Sequence, residues 1–376
     1  MQVLMISLDK GLLGKGQLGD VVSRHQEYGQ HVEKLDIIVF SKKGYEKYQL
    51  SENVHSIPTN SKTKLCYFCN SYKIGKGLFK NSKYDLIVCQ TPFIAGLVGY
   101  RLAKKFKAKL LVHFHGDFVD NKEWLKEKWY NIFLLSIAKF VFRRSDGIRV
   151  MSKGIKDKLV SNGIKAEKIK VISTPVNLSK FENPDEQKVT SIKSKYQNKK
   201  ILLFVGRLEQ VKDFPTLLTA AEIVKKDYKD FVVLVLGNGS KYNEWKSLAE
   251  KSEVRVDFLN QLDHKELVNY YQACDFIVNS STNESFGKIF VEAAAASKTS
   301  VATNTTGAQE IIIDGQTGLL SPVNDPSSLA ANIIKLLKNQ DLTSELGQKA
   351  KELVNKKYDG ANNTREIINF WQEIIR

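Results

Sequence analysis

A chain of 376 residues has room for two hydrophobic cores, and 42% hydrophobic with 26% charged residues is the balance of a folded, water-soluble protein rather than a disordered or fibrous one. The net charge of +16 lies wholly in residues 1–176, which carry 31 Lys+Arg against 15 Asp+Glu. An imbalance confined to one half points to an anionic partner for that half: nucleic acid, acidic lipid or a phosphorylated acceptor.

Residues 2–6 read as a first buried strand, and no basic leader or cleavage site precedes them, so no signal peptide is expected. A glycine-rich loop with Gly14, Gly16 and Gly19 leads into a helix over residues 21–28. Such a loop either cradles phosphate or is simply flexible; its spacing matches neither the dinucleotide fingerprint nor the P-loop. Residues 35–40 form a second strand, and 61–83 read as irregular and basic with interleaved aromatics. That mixture suits a membrane surface, a saccharide, or a solvated loop with its rings folded inward. Cys66 and Cys69 form a lone Cys-x-x-Cys; with Cys89 and Cys274 they read as reduced thiols, since a zinc site needs more ligands.

A strand over 84–89 and a helix over 95–106 precede a strand over 109–114, which runs into His113, His115 and Gly116. Alternation puts the two histidines on one side, and His115 stands at the strand's C-terminal end, where open α/β sheets bind ligands. Residues 121–144 read as one helix whose apolar residues are mostly core. Trp124, Lys126, Lys128 and Trp129 near its start also fit a lipid headgroup region. The most apolar stretch, around residues 131–142, is interrupted by Lys139 and too short to span a bilayer, so a cytoplasmic protein is expected, with peripheral attachment to the membrane's inner face left open. A strand over 170–173 ends the first half, and an interdomain linker follows.

The second half opens with a strand over 200–205, then Gly206, Arg207 and, five residues on, Lys212. Two cations at a strand's C-terminal end suit a diphosphate, Arg by bidentate contact and Lys as a point charge. Strand 231–236 ends in a glycine turn at Gly237, and strand 254–258 ends in a loop containing Asn260 and Leu262. Strand 275–278 is followed by Glu284-Ser285-Phe286-Gly287-Lys288-Ile289-Phe290-Val291-Glu292. The backbone N–H groups of Phe286, Gly287 and Lys288 then lie at a helix N-terminus, which attracts an anion. Eight positions at 3.6 per turn set Glu292 about 80° beyond two turns from Glu284, so both carboxylates can face one crevice. Two acids beside an anion site suit a ligand with hydroxyls and phosphate. An amphipathic helix over 363–376 ends the chain.

This Glu-x7-Glu with its internal Ser-Phe-Gly, together with the Gly-Arg-x4-Lys turn and His115-Gly116, resembles glycosyltransferase family 4, the retaining group 1 transferases. The resemblance implies a GT-B fold, two Rossmann-like β/α/β domains facing a central cleft. It divides the chain into an acceptor domain (1–176), a donor domain (177–359) and a helix (360–376) crossing back onto the first. It implies a nucleoside-diphosphate sugar as donor, UDP- ahead of GDP-, and a lipid-linked or oligosaccharide acceptor in cell-surface polysaccharide synthesis. Glu292 would hold the ribose hydroxyls and Glu284 the sugar, helped by the amides of Phe286 and Gly287. Arg207 and Lys212 would hold the diphosphate, His115 would contact the sugar, and Gly16 and Gly237 would border the phosphates. Asn260 and Leu262 would frame the base. No Asp-x-Asp occurs, so no metal is expected, nor any other cofactor. A GT-B phosphorylase, a nucleotide-sugar epimerase and a nucleic-acid-binding protein are the rivals; no nucleic-acid motif is present.

Overall fold

The computed structural model describes residues 1–14, 21–181, 183–260, 262, 264–358 and 360–376. Gly16, Gly19 and Gln261 lie outside the described residues. The chain divides into two compact units, Met1–Ser173 with Ala361–Arg376, and Thr174–Gly360.

The first unit holds β1 (Gln2–Ser7), β2 (Lys34–Val39), β3 (Tyr48–Ser51), β4 (Val54–Pro58), β5 (Leu86–Cys89), β6 (Lys109–Phe114), β7 (Gly147–Val150) and β8 (Ile169–Val171). Their order is β3-β4-β2-β1-β5-β6-β7-β8, parallel except for the β3–β4 hairpin. The central strands are continuous apolar runs because both sheet faces are covered; Val3 to Ile6 are wholly buried. The C-terminal helix, Gly360–Ile375, closes one face by burying Ile367, Ile368, Phe370 and Trp371 in this core. The Trp371 ring meets Tyr28 edge-on at 5.4 Å, and Asn363 Nδ2 donates to Ser173 Oγ at 2.6 Å.

Two stretches of the first unit differ from the sequence reading. Residues 61–83 are not irregular: Tyr67–Asn81 is a helix. It contains two glycines, and Gly75 faces Leu102 so closely that a methyl there would sit 2.5 Å from Leu102 Cδ1. The single helix expected over 121–144 is two, Lys122–Glu127 and Asn131–Arg144. Asn131 makes the corner: its N–H donates to Lys128 O at 2.9 Å and its Nδ2 to Trp124 O at 2.6 Å. Trp124 is half-buried, stacked on Phe93 and tilted against Phe118, whereas Trp129 is exposed.

The second unit is an all-parallel sheet, β9 (Lys200–Val205), β10 (Phe231–Leu236), β11 (Val256–Leu259), β12 (Phe276–Asn279), β13 (Ser300–Thr303) and β14 (Leu319–Ser321), in the order β11-β10-β9-β12-β13-β14. Leu202, Phe204, Val233 and Val235 pack under Phe214, Leu217 and Trp245 of the covering helices. Each such side chain, fully buried, contributes about 1.5–3 kcal/mol over leaving it in water. All six strands run the same way, so the loops that follow them share one edge. Among the described residues no helix is long and apolar enough to cross a membrane. The four cysteines are free thiols; burial pushes Cys274 up to about 12 and Cys89 higher still, so neither buried thiol is reactive at neutral pH.

Candidate active site

The C-terminal edge of the second sheet gathers the candidate residues. β9 ends at Val205, and Arg207 stands exposed on the turn that Gly206 opens. Its neighbour Glu209 anchors the turn, accepting from Ser240 Oγ at 2.6 Å and Ser240 N at 3.0 Å. Those two bonds hold the Glu209 carboxyl below its ordinary range. The same turn brings Lys212 inward, where its Nζ donates to Glu284 Oε2 at 2.5 Å, the two side chains only 15% and 18% exposed. At that burial the contact is a charge-assisted hydrogen bond in which each group neutralises the other.

The Glu284 loop is clasped from both sides. Ser280 Oγ reaches the carbonyls of Asp213 at 2.8 Å and Lys212 at 3.2 Å, and Thr282 N donates to Val211 O at 2.9 Å. From the β13 side, Gly307 N donates to Glu284 O at 2.6 Å, and Thr303 Oγ1 donates to Ser281 O at 2.6 Å. A methyl on Gly307 would lie 2.5 Å from Phe286 N and 2.7 Å from Glu284 O, so only glycine lets these loops meet. The Glu284 carboxylate is thus fixed by backbone, as a site needing sub-ångström placement requires.

The helix begins later than the pattern suggests: it runs Lys288–Ala295, with Gly287 at its N-cap at φ 76°, ψ 52°. Phe286 turns its ring inward onto Tyr358 and offers only backbone to the edge. With Lys288 one turn before Glu292, their side chains pair at 3.5 Å. Glu292 itself is 3% exposed, and its Oε2 accepts from Tyr271 Oη at 2.9 Å. Burial, and then the adjacent carboxylate, push the Tyr271 phenol well above its usual value, so it keeps the proton it donates to Glu292. The two glutamates therefore differ in setting, one at a loop edge and one held in the interior. Tyr271→Phe strands one oxygen of a buried carboxylate and is expected to cost about 1–3 kcal/mol; an unchanged urea midpoint would show that Glu292 does not depend on it.

Gly237 closes the neighbouring turn at φ 147°, so near Gly206 that a methyl would sit 1.9 Å from its carbonyl oxygen. Gly237 N donates to Leu259 O at 3.4 Å, tying this turn to the end of β11. Beyond β11, Asn260 is exposed and Leu262 half-buried.

In the first unit, His115 follows β6 and is exposed, with Nε2 2.9 Å from Gln90 Oε1 of the loop after β5. His113, inside β6, is buried and its ring lies 5.7 Å from that of His115, on the same side as alternation requires. Arg149 Nη1 approaches His113 Nδ1 at 3.4 Å, while its other nitrogens donate to the carbonyls of Ile172 and Ser173. Burial first, and then this guanidinium, keep His113 far below its ordinary pKa and hence neutral. Sequence reasoning missed Tyr271, Ser280, Gly307 and Gln90. Tyr271 sits in a helical apolar pattern that reads as core, and the other three act through partners 23 to 68 positions away.

Two α/β units, each with a mainly parallel sheet, and a terminal helix returning to the first define the GT-B fold. Residues 185–353 match Glycosyl transferases group 1, and residues 29–180 match Glycosyltransferase Family 4. An uncharacterized glycosyltransferase of Methanocaldococcus jannaschii is 30% identical over 332 residues, 86% of this chain and 87% of that one. The alpha-monoglucosyldiacylglycerol synthase of Streptococcus pneumoniae is 26% identical over 287 residues, 73% of this chain and 64% of that one. Among solved structures, Anabaena HepE in complex with UDP and glucose superposes with a TM-score of 0.80 at 18% identity, covering 99% of this chain and 100% of that one. The chain belongs to the group 1 glycosyltransferases, family 4.

Proposed function

We propose that the chain transfers a hexose, with retention of configuration, from a UDP-sugar to a lipid-linked or saccharide acceptor in cell-surface polysaccharide synthesis, working in the cytoplasm at the membrane's inner face. The observation that carries this reading is the Lys212–Glu284 pair at 2.5 Å, on a loop clasped from both sides, at the edge of a parallel sheet. A donor diphosphate competes with Glu284 for Lys212, and Arg207 supplies a second cation from the same turn. Glu284, once released, is free to accept from the sugar hydroxyls, beside the amides of Phe286, Gly287 and Lys288. Glu292 takes the ribose hydroxyls, Gly237 borders the phosphates, and Asn260 and Leu262 frame the base. His115 is assigned to the transferred sugar at the sheet edge of its own unit.

In the step itself, the bond from the anomeric carbon to the β-phosphate oxygen breaks and the acceptor oxygen bonds to that carbon on the same face. The departing phosphate oxygen takes the acceptor's proton. Negative charge grows on the diphosphate as this happens, so Arg207 and Lys212 interact more strongly with the transition state than with the ground state. These cations and the helix terminus do the electrostatic work without a metal or other cofactor. Support for UDP comes from the UDP and glucose held by the HepE structure, and for a lipid acceptor from the name of the pneumococcal relative.

Calorimetry with UDP, GDP and ADP tests the donor. UDP is expected to bind selectively, and Arg207→Ala to weaken it roughly 10- to 100-fold, the worth of a charge-assisted contact of about 1.5–3 kcal/mol. If none of the three nucleotides binds a folded sample, the reading fails. Turnover that requires inorganic phosphate would move the chain to the phosphorylases.

A further inference from the structure

Three helices of the first unit pack side by side, Tyr67–Asn81 on Ile94–Phe106 and Ile94–Phe106 on Asn131–Arg144. Their 42 residues include nine Lys and Arg and not one Asp or Glu, in a chain that holds 41 acids. Small residues take the inner faces, where Gly75 meets Leu102 and Gly96 meets Val141, and this lets the helices approach closely. The cations are left outside with aromatic rings beneath them. Arg144 lies 3.9 Å from the centroid of Phe140, and Arg101 lies 5.3 Å from that of Phe68.

At one end of this surface, where the third helix begins, large apolar side chains stand in water. Trp129 is 80% exposed, Ile132 60% and Phe133 61%. Isolated exposed apolar residues are common, but three within five positions, beside an acid-free cationic face, form a patch that needs a partner. The chemistry selects among partners. A second copy of the chain would set nine cations against nine. Nucleic acid would use the cations and the rings, but an aliphatic side chain such as Ile132 stacks on no base. Acidic lipid uses all of it: lysine and arginine at the headgroups, tryptophan and phenylalanine at the boundary, isoleucine below it.

We propose that this surface docks the protein on an anionic membrane, with Trp129, Ile132 and Phe133 inserted at the headgroup boundary and the helix cations lying on acidic headgroups. The inference deepens the reading of an enzyme with a lipid-linked acceptor, yet docking needs neither donor nor acceptor, so the two can fail separately. The full chain is sedimented with vesicles of phosphatidylcholine, with and without phosphatidylglycerol. Partition onto the vesicles containing phosphatidylglycerol is expected, falling steeply with added salt. Combined Trp129→Ser, Ile132→Ser and Phe133→Ser should weaken it about tenfold or more, and combined Lys73→Gln, Lys76→Gln and Arg101→Gln by a similar factor. Five of the six positions are exposed and Lys76 is half-buried, and circular dichroism checks that each variant folds. Tryptophan emission should shift to the blue on vesicle addition, and Trp129→Ser should abolish the shift. The proposal is overturned by absence of partition, by partition unchanged in both variants, or by retention of single-stranded RNA without vesicle binding. Vesicle binding in a protein that takes no nucleotide would instead overturn the UDP-sugar reading alone.

Discussion

Glu284→Gln is expected to separate donor binding from chemistry. The wild-type carboxylate holds Lys212 at 2.5 Å in a setting where both side chains are largely shielded from water. Neutralising it removes a competitor for the lysine and a negative charge beside the incoming diphosphate. UDP affinity should therefore hold or rise, by up to about tenfold, the size of one partly shielded charge contact. Transfer should behave oppositely. A glutamine accepts hydrogen bonds from the sugar less strongly than a carboxylate and carries no charge to stabilise positive character at the anomeric carbon. A loss of roughly 100-fold or more in kcat/KM follows from removing one such preorganised electrostatic contact. Calorimetry with UDP and steady-state kinetics with a UDP-sugar make the comparison. A parallel drop in UDP affinity and kcat/KM would mean that Glu284 serves the fold of the loop rather than the reaction.

Gly237→Ala should be the most damaging single methyl in the second unit. The position sits at φ 147°, and the added carbon would lie 1.9 Å from the carbonyl oxygen of Gly206. That oxygen belongs to backbone at the start of the turn carrying Arg207 and Lys212, so no side-chain rotation relieves the contact. The two turns must separate, and separation strains the bonds from Gly206 N to Leu236 O and from Leu208 N to Asn238 O. Backbone strain with overpacking costs on the order of 3 kcal/mol, and UDP binding should be lost with it. Gly77→Ala is the matched control. That residue lies within the Tyr67–Asn81 helix with nothing within 4 Å of the added methyl, so alanine should stabilise by about 0.5–1 kcal/mol. Urea denaturation measures both. Equal midpoints for Gly237→Ala and wild type, with UDP binding intact, would show that the turns are looser than their geometry implies.

Several features were legible in the sequence because they are local. The central strands of both sheets, β1, β5, β9 and β10 among them, are largely apolar runs of four to six residues, and a strand buried on both faces has no other way to be written. The Glu284–Glu292 motif, the Gly206–Lys212 turn and His115-Gly116 are each contiguous in the chain, so their resemblance to the family's pattern could be seen without any distant contact. The helix over 67–81 was not legible. Its two glycines argue against a helix until Leu102, on the neighbouring helix, explains why Gly75 has no side chain. The corner at residues 128–130 was hidden likewise, because Asn131 makes it through bonds that a helical apolar pattern does not display.

By itself the sequence determined the alternation of strand and helix, the confinement of the excess positive charge to the first half, and the acid, cation and glycine types of the candidate site. These follow from periodicity, counting and residue chemistry, none of which needs a distant partner. Tertiary structure alone decided that Lys212 answers Glu284 across 72 positions, that Glu292 is held inward by Tyr271, and that Gly307 clasps the Glu284 loop. It also decided that Trp129, Ile132 and Phe133 stand outside the core they seemed to belong to. The physical reason is common to all of these. A side chain's neutrality, burial and orientation depend on which groups the fold brings within a few ångströms, and that proximity is not written in the residues on either side.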